Sequence, residues 1–278
     1  MLVASPRIST RARRTSLTEG RLAIRSAGGS FAMMSASSSD VTLKLLDGFR
    51  LELRGDALQV APTVQRVVAF LAVHNRPLQR LFVAGNLWID SDEERANANL
   101  RTALWRLQHV GVRLIESTRS HVRLAQGIRV DLHEAAARAR QLLYDPRSAA
   151  PTEQDAMRLA GDLLPDWYED WVLVEREHFR QLRLQALEAI CLALGAAGAY
   201  GAAVDAGLAC VAAEPLRESA HRALMTIHLA QGNAGEAMRQ YGLYSRLALD
   251  ALGVAPSAEM QRMLRALPVV DDGARARR

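Results

Sequence analysis

Polar and hydrophobic residues alternate along residues 41–60, where the first regular pattern of the chain begins. The runs VTLKLL, FRLELR and ALQV each alternate with a period of two, and Asp47-Gly48 and Gly55-Asp56 separate them. Such alternation is typical of strands with one buried face, and Asp-Gly or Gly-Asp pairs favour tight turns. The pattern therefore predicts three short strands in a small antiparallel sheet.

The hydrophobic period changes to that of an α-helix after this sheet. Helical spacing of apolar residues predicts three helices at about residues 63–74, 78–87 and 93–110, with Thr63 as a possible N-cap of the first. The strand-like runs RLIEST, HVRLA and IRVDL follow. Three helices followed by a two-stranded hairpin predict a winged helix-turn-helix, and a small sheet in front of them is typical of OmpR-type output domains.

The third of these helices, which contains NANLRTALWRLQHV, has two unlike faces. At about 100° per residue, Leu100, Leu104 and Leu107 share one face and Trp105 points away from it. In a winged helix the third helix packs one face on the other two and presents the opposite face to the major groove of DNA. The DNA-binding residues predicted on this helix are Asn97, Asn99, Arg101, Thr102, Trp105, Arg106 and His109.

These residue types suit contact with DNA. Arg101 and Arg106 can bind phosphates or the guanine edge, and the asparagine amides can bind the adenine edge. A solvated helix face is the alternative for any one of them. For Trp105 three placements are open: on DNA, packed on the hairpin, or buried against the second half of the chain.

The hairpin that forms the wing is expected to bind the DNA backbone. Arg119, His121 and Arg123 flank its turn. Cations at this position supply an affinity for DNA that depends on salt concentration rather than on base sequence. A hairpin that is merely soluble is the alternative.

The loop between the second and third helices, WIDSDEE, is acidic. Phosphates would repel it, so it is expected to face away from DNA. A structural role is open to the loop, in which Trp88 covers the core and Ser91 or Asp92 caps the third helix.

From residue 131 the chain has an almost entirely helical pattern. An internal repeat is visible, because the stretches that begin at Gly198 and Gly232 are alike and lie 34 residues apart. An offset of about 34 is the tetratricopeptide period, in which helix pairs stack through small residues. Trp167, Tyr168 and Trp171 are expected to pack in the interior or to join the domains, with an exposed partner site as the alternative. The predicted helices lie at about residues 131–143, 152–161, 168–195, 199–213, 217–231, 234–250 and 257–266.

Charge is unevenly distributed along the chain. The formal net charge is +5, and residues 1–39 alone hold six arginines and one acidic residue. Residues 40–130 carry 13 basic and 9 acidic side chains, whereas residues 131–278 carry 16 and 20. The sequence therefore predicts a basic winged-helix domain and an acidic helical domain between two disordered tails, at residues 1–39, 40–130, 131–268 and 269–278 in chain order. For the first tail, a transit peptide or a translation start at Met33 or Met34 is the alternative.

Other function classes find little support in the sequence. The seven histidines show no metal-ligand spacing, and no nucleophile elbow, phosphate-binding loop or dinucleotide fingerprint occurs. We expect no catalysis, no metal and no cofactor. No run approaches the roughly 18 apolar residues of a membrane-spanning helix. Cys191 and Cys210 are expected to be free thiols in a reducing cytosol, with one disulfide as the alternative.

Two longer stretches carry a family resemblance. The segment LFVAGNLWIDSDEERANANLRTALWRLQHVG, with the basic wing and VDL after it, resembles the DNA-binding region of SARP/AfsR-type bacterial regulators. The segment LLPDWYEDWVLVEREHFRQLRLQALEAI and, further on, EPLRESAHRALM, GNAGEAMRQY and LGVAPSAEM resemble the bacterial transcriptional activation domain (BTAD) that follows it in that family. The resemblance covers about residues 41–267.

The resemblance implies a mainly α protein with a small β component, in which an OmpR-like winged helix-turn-helix precedes a tetratricopeptide-like all-α domain. It also implies a cytoplasmic transcription activator that binds double-stranded promoter DNA, side by side as a possible homodimer. Such an activator recruits RNA polymerase, and the resemblance implies that the acidic loop contacts it, with Trp88, Asp90 and Asp92 as the candidate partner-binding residues. Gln108 and His109 stand where many members carry cations. The alternative is therefore an adaptor, in which the helical domain binds proteins and the winged helix no longer binds DNA.

Overall fold

The computed structural model describes residues 40–145 and 150–265. The two predicted disordered tails lie outside these residues. The three predicted strands are confirmed as β1 (Val41–Lys44), β2 (Arg50–Leu53) and β3 (Asp56–Ala57), which pair antiparallel through the two predicted turns. A fourth strand, β7 (Arg129–Val130), lies parallel to β1 and closes the sheet in the order β3-β2-β1-β7.

Three helices follow, as predicted: α1 (Pro62–His74), α2 (Arg80–Leu87) and α3 (Glu93–Gln108). The prediction that Thr63 caps α1 is wrong, because Ala61 is the N-cap and Pro62 is the first helical residue. Proline suits that position, since its fixed φ is helical and its missing N–H has no partner there. At α3 the Asp92 carboxylate accepts the backbone N–H of Arg95 at 2.8 Å, which confirms the capping role considered for Asp92.

The predicted wing is confirmed as β5 (Ile115–Ser117) and β6 (His121–Leu124), paired antiparallel. The residues expected to begin α2 form instead a two-residue strand, β4 (Leu78–Gln79), which pairs with β6. The wing is therefore the outer part of a three-stranded sheet, β4-β6-β5. This pairing fixes the hairpin to the start of α2 and so sets its position beside α3.

The second half is all-α, and each predicted helix is present with ends shifted by a few residues. No helix in residues 40–145 or 150–265 is both long and apolar enough to cross a lipid bilayer. The helices are α4 (Asp131–Tyr144), α5 (Glu153–Arg158), α6 (Asp170–Ala196), α7 (Tyr200–Ala213), α8 (Glu218–Ala230), α9 (Ala234–Leu252) and α10 (Ala258–Arg265).

The 34-residue sequence repeat corresponds to a structural repeat. Gly198 follows α6 and Gly232 follows α8, and both are left-handed, with φ of +78° and +75°. Small residues also let the helices approach each other closely: a Cβ on Gly207 of α7 would lie 2.5 Å from Leu224 Cδ2 of α8. The two helix pairs α6–α7 and α8–α9 therefore stack as the repeat predicts.

Backbone hydrogen bonds join the winged helix to the helical domain. The chain that continues β1 pairs with residues 162–164: Leu164 N–H donates to Leu45 O at 2.9 Å, and Asp47 N–H donates to Asp162 O at 2.8 Å. Asp131, at the start of α4, accepts the N–H groups of Leu45 and Leu46 at 2.8 and 3.1 Å. By its contacts the segment that includes residues 40–265 is one unit, and the division near residue 130 stays a prediction.

Aromatic side chains fill the same junction. Trp167 stacks on Phe49 with ring centroids 6.1 Å apart, and Trp171 meets Phe70 edge to face at 5.1 Å. The expectation that this tryptophan cluster joins the domains is confirmed for both residues. Tyr168 between them is 78% exposed, so the packing prediction is wrong for Tyr168.

Candidate nucleic-acid interface

The helix α3 buries the face that its hydrophobic spacing predicts and exposes the other. Leu100, Leu104 and Leu107 are buried in the core of the winged helix. The predicted DNA-binding residues at the outward positions are exposed, and the two asparagines are half-buried. The exposed residues are Arg101, Thr102, Trp105, Arg106 and His109, and the half-buried residues are Asn97 and Asn99.

Trp105 lies on the surface of α3. Its side chain is 60% exposed, and its ring lies 4.3 Å from that of His109, whose Nδ1–H donates to the Trp105 carbonyl at 2.8 Å. The placements of Trp105 on the hairpin and inside the second half of the chain are therefore wrong. The hairpin sits beside the N-terminal part of α3, near Asn97 and Arg101, which is a turn or more before Trp105.

A cleft of about 560 Å³ lies between α3, the start of α2 and the tip of the wing. It brings four predicted DNA-binding residues together, and no acidic side chain lines it. Its lining residues are Gln79, Arg80, Leu81, Asn97, Leu100, Arg101, Arg119, Ser120 and His121. The arrangement places three guanidinium groups around a hollow that opens to solvent, which suits an anion such as a phosphate.

Arg80 is the residue of this cleft that the sequence analysis missed. Its backbone N–H donates to Ser120 O at 2.9 Å, and its guanidinium donates to the Ser117 hydroxyl. Its Nε is buried and has no hydrogen-bond partner among the described residues. Arg80 thus holds the wing through these two hydrogen bonds, and its unpaired Nε is buried rather than turned to the cleft. No local signal marked it, because its role depends on the β4–β6 pairing.

The predicted cations of the wing differ in how they are paired. Arg123 donates through Nε to Glu116 Oε2 at 2.7 Å across the hairpin, and this bond lowers the pKa of Glu116. The charge of Arg123 is thus largely compensated. Arg119 and His121 stand at the tip, where Nδ1 of His121 lies 2.9 Å from the Ser120 hydroxyl. Arg119 has no ion-pair partner in the described part of the chain.

The acidic loop lies beside the junction of the two halves. Trp88 is half-buried and ends α2, while Asp90 is exposed. A cleft of about 380 Å³ runs between this loop and the start of α6. Two large side chains stand on either side of it. Ile89, which was not assigned to a partner surface, is 76% exposed, and Tyr168, for which an exposed partner site was the alternative, is 78% exposed.

Candidate chemistry elsewhere is limited. Within residues 40–145 and 150–265, no group of three or more His, Cys, Asp or Glu side chains could hold a metal ion. Cys191 and Cys210 are free and buried, and burial raises their pKa values to about 11 and 12. These thiols stay protonated at neutral pH, so neither is a ready nucleophile.

One comparison with known proteins identifies a family, and another finds a similar fold. Residues 128–267 match the family described as bacterial transcriptional activator domain, a range that begins just before β7 and covers all the helices of the second half. The solved structure of Mycobacterium tuberculosis EmbR in complex with a low affinity phosphopeptide is similar, with a TM-score of 0.65 and 19% identity. The alignment covers 81% of this chain and 64% of the EmbR chain. The comparison with curated proteins finds no match.

Proposed function

We propose that the chain, which belongs to the bacterial transcriptional activator domain family, is a SARP-type transcription regulator that binds promoter DNA and recruits RNA polymerase. DNA binding would use α3 and the wing, and recruitment would use the acidic loop. The observation that carries the DNA-binding proposal is the cleft in which Arg80, Arg101 and Arg119 converge without an acidic side chain. Because bacterial promoters lie in the cytoplasm, we propose that the protein acts there.

The pairing of charges in the winged helix supports this surface. Lys44 pairs with Glu52, Arg54 with Asp40, and Arg123 with Glu116. Arg101, Arg106 and Arg119 are among the arginines of the winged helix that have no ion-pair partner within the described residues. Unpaired guanidinium groups on an exposed face can replace the counterions of DNA without first breaking an ion pair inside the protein.

The contacts proposed on α3 are to base edges in the major groove. Arg101 and Arg106 would bind guanine edges, and Asn97 or Asn99 an adenine edge. The Thr102 hydroxyl donates to Ala98 O at 3.0 Å and keeps its lone pairs for a base amino group. Trp105 and His109 form an exposed ring pair that suits a thymine methyl group or a sugar face.

The wing and the start of α2 would bind the backbone. Arg119 and His121 at the wing tip, with Arg80 behind them, face the cleft beside α3. Contacts of this kind orient the protein on the duplex without reading its sequence. Arg123, whose charge Glu116 compensates, is proposed to contribute less than Arg119.

A binding titration tests the DNA-binding proposal. A DNA site is first selected in vitro from random duplexes, and its affinity is then measured by fluorescence anisotropy at fixed salt. Arg101→Ala and Arg106→Ala each remove a proposed hydrogen bond to a base edge, so each should weaken specific binding by about 1–3 kcal/mol. Arg119→Ala should weaken binding to all sequences alike and lower the salt slope by about 1. Arg246→Ala, on the exposed side of α9, is the control and should bind like the parent protein.

Two outcomes would contradict the proposal. One is that no duplex is enriched by the selection. The other is that Arg101→Ala, Arg106→Ala and Arg119→Ala all bind DNA as the parent protein does. Either outcome would favour the adaptor hypothesis, in which the helical domain binds another protein.

The surface proposed to meet RNA polymerase contains Trp88, Asp90 and Asp92 of the acidic loop, together with Ile89 and Tyr168. Asp90 is exposed with no ion-pair partner in the described residues, and the two exposed apolar side chains flank one cleft. An apolar anchor surrounded by acidic groups suits a basic partner segment. DNA, being an anion, would be repelled from it.

A transcription assay with purified RNA polymerase tests the recruitment proposal. Asp90→Asn and Ile89→Ser should lower activated transcription several-fold while DNA affinity stays unchanged. Asp92 is not a suitable test residue, because its loss would uncap α3 and disturb the DNA-binding helix. Unchanged transcription in both variants would refute the recruitment role of this loop.

Homodimer formation on DNA is proposed from the family. Two copies bound side by side should occupy two direct repeats cooperatively. Titration of duplexes with one and with two copies of the selected site distinguishes cooperative from independent binding.

A further inference from the structure

A separate cavity of about 610 Å³ lies where the C-terminal end of α1 meets α4 and α6. It is at the junction of the winged helix with the helical domain, and no residue of α3, the wing or the acidic loop lines it. Its volume is in the range of about 300–1,000 Å³ typical of small-molecule sites. We propose that this cavity binds a small organic anion with an apolar body, such as an aromatic carboxylate.

The floor of the cavity is apolar. Leu132 of α4 and Phe179 of α6 are buried beside Leu163 of the loop that pairs with β1, while Val73 and Leu182 are half-buried around them. Such a floor favours a hydrocarbon ring over water, since burying apolar area is worth roughly 25 cal/mol per Å². The apolar body of the ligand would rest here.

Two histidines on the wall have tautomers fixed by backbone carbonyl groups. The Nδ1–H of His74 donates to Phe70 O at 2.9 Å, and the Nε2–H of His133 donates to Ala72 O at 2.6 Å. A carbonyl oxygen can only accept, so each of these nitrogens carries its proton. The other nitrogens, Nε2 of His74 and Nδ1 of His133, have no hydrogen-bond partner among the described residues. They are available to a polar group of the ligand.

The charged side chains of the cavity wall determine where a charged group of the ligand can bind. Arg140 of α4 is exposed and has no ion-pair partner in the described part of the chain, whereas Glu175 of α6 lies 3.5 Å from the His178 imidazole. The α4 side thus presents a cation without an ion-pair partner and the α6 side presents a carboxylate, so the acidic group of a ligand is favoured only at the α4 side. A guanidinium fork matches a carboxylate or sulfonate with two parallel hydrogen bonds. The acidic group of the ligand would bind Arg140.

A matched pair of fluorescent probes tests this site on the full chain. 8-Anilinonaphthalene-1-sulfonate is an anion with an apolar body, and N-phenyl-1-naphthylamine has the same rings without the sulfonate. The anionic probe should bind saturably at one site per chain. Arg140→Gln should weaken its binding about tenfold, and Glu175→Gln should strengthen it several-fold by removing a like charge. The neutral probe should respond to neither substitution.

Two further variants control for adventitious binding and for misfolding. Arg246→Gln removes an exposed arginine of α9 and should leave the binding of both probes unchanged. Ala137→Trp, at an exposed position on the cavity rim, should fill the cavity and abolish binding of both probes. Each variant is accepted only with a parental circular dichroism spectrum and melting temperature.

The proposal fails if Arg140→Gln leaves the affinity of the anionic probe unchanged, or if Arg246→Gln weakens it equally. It also fails if Ala137→Trp still binds both probes. None of these readouts involves DNA, so failure here is distinguishable from failure of the proposed DNA-binding function.

Discussion

The carboxylate of Asp155 links α5 to α4, and its loss should destabilise the protein in a pH-dependent way. Arg138 donates to it through Nε at 2.8 Å and through Nη2 at 2.7 Å. The backbone N–H and the hydroxyl of Thr152 also donate to it, at 2.8 and 3.0 Å, which completes a capping box for α5. The hydrogen bonds of Arg138 are the largest cause that lowers the pKa of Asp155 from 3.8 to about 2.

This pKa shift gives the magnitude of the stability that the ionised Asp155 carboxylate contributes. The difference between 3.8 and about 2 corresponds to about 2.4 kcal/mol of folding free energy. Because the folded-state pKa is depressed, that stability is fully present well above pH 3.8 and is lost as the pH falls from about 4 to 2. Below that window the folded and unfolded chains both carry the neutral acid.

The perturbation is Asp155→Asn, which keeps the shape of the side chain and removes its charge. Urea unfolding should show a loss of about 2 kcal/mol at pH 7, falling to less than about 1 kcal/mol near pH 2.5. Asp250→Asn, at an exposed position on α9, is the control and should stay within about 0.5 kcal/mol at both pH values. An equal loss for Asp155→Asn at both pH values would refute the electrostatic origin of the effect.

Three further predictions concern buried groups of the helical domain. Gly207→Ala should destabilise the protein by about 1–3 kcal/mol, since its Cβ would lie 2.5 Å from Leu224 Cδ2; a denaturant midpoint equal to that of the parent would show that α7 and α8 can separate freely. Arg183 is buried and donates to Ala160 O at 2.8 Å and to Gly161 O at 2.6 Å, so Arg183→Met should cost about 2–4 kcal/mol by leaving both carbonyls unpaired. A loss below about 0.5 kcal/mol in urea unfolding would contradict that account. Burial lowers the pKa of His221 below 6.5, so the protein should lose stability as the pH falls below that value, because only the unfolded chain then takes up the proton. His221→Gln should flatten this dependence between pH 7 and 5, and a parallel pH profile for the two proteins would assign the loss to other groups.

Local pattern was enough to predict most elements of the fold. The helices and the hairpin follow from hydrophobic spacing and turn residues, which depend only on neighbours in the chain. β4 could not be predicted in this way, because two residues carry no period and their partner strand lies far along the chain. The pairing of residues 45–47 with 162–164 was missed for the same reason.

The same distinction between local sequence pattern and contacts of distant segments applies to the candidate site. The outward face of α3 follows from a helical wheel, and the structure exposes Arg101, Trp105 and Arg106 there. Arg80 was missed because only the folded hairpin brings it to that face. The ion pair of Arg123 with Glu116 could have been predicted from the sequence, since a two-residue turn at residues 119–120 makes the two residues cross-strand neighbours.

The main-chain hydrogen bonds between residues 45–47 and 162–164 have a consequence for rotational phasing along the double helix. If α3 lies in the major groove, these bonds hold the helical domain at one azimuth around the duplex. Inserting half a helical turn, about 5 base pairs, between the bound site and the promoter would carry the helical domain, with Tyr168 beside the acidic loop, to the opposite side of the DNA. Activation should be lost with that spacing and should return when the insertion reaches a full turn of about 10 base pairs.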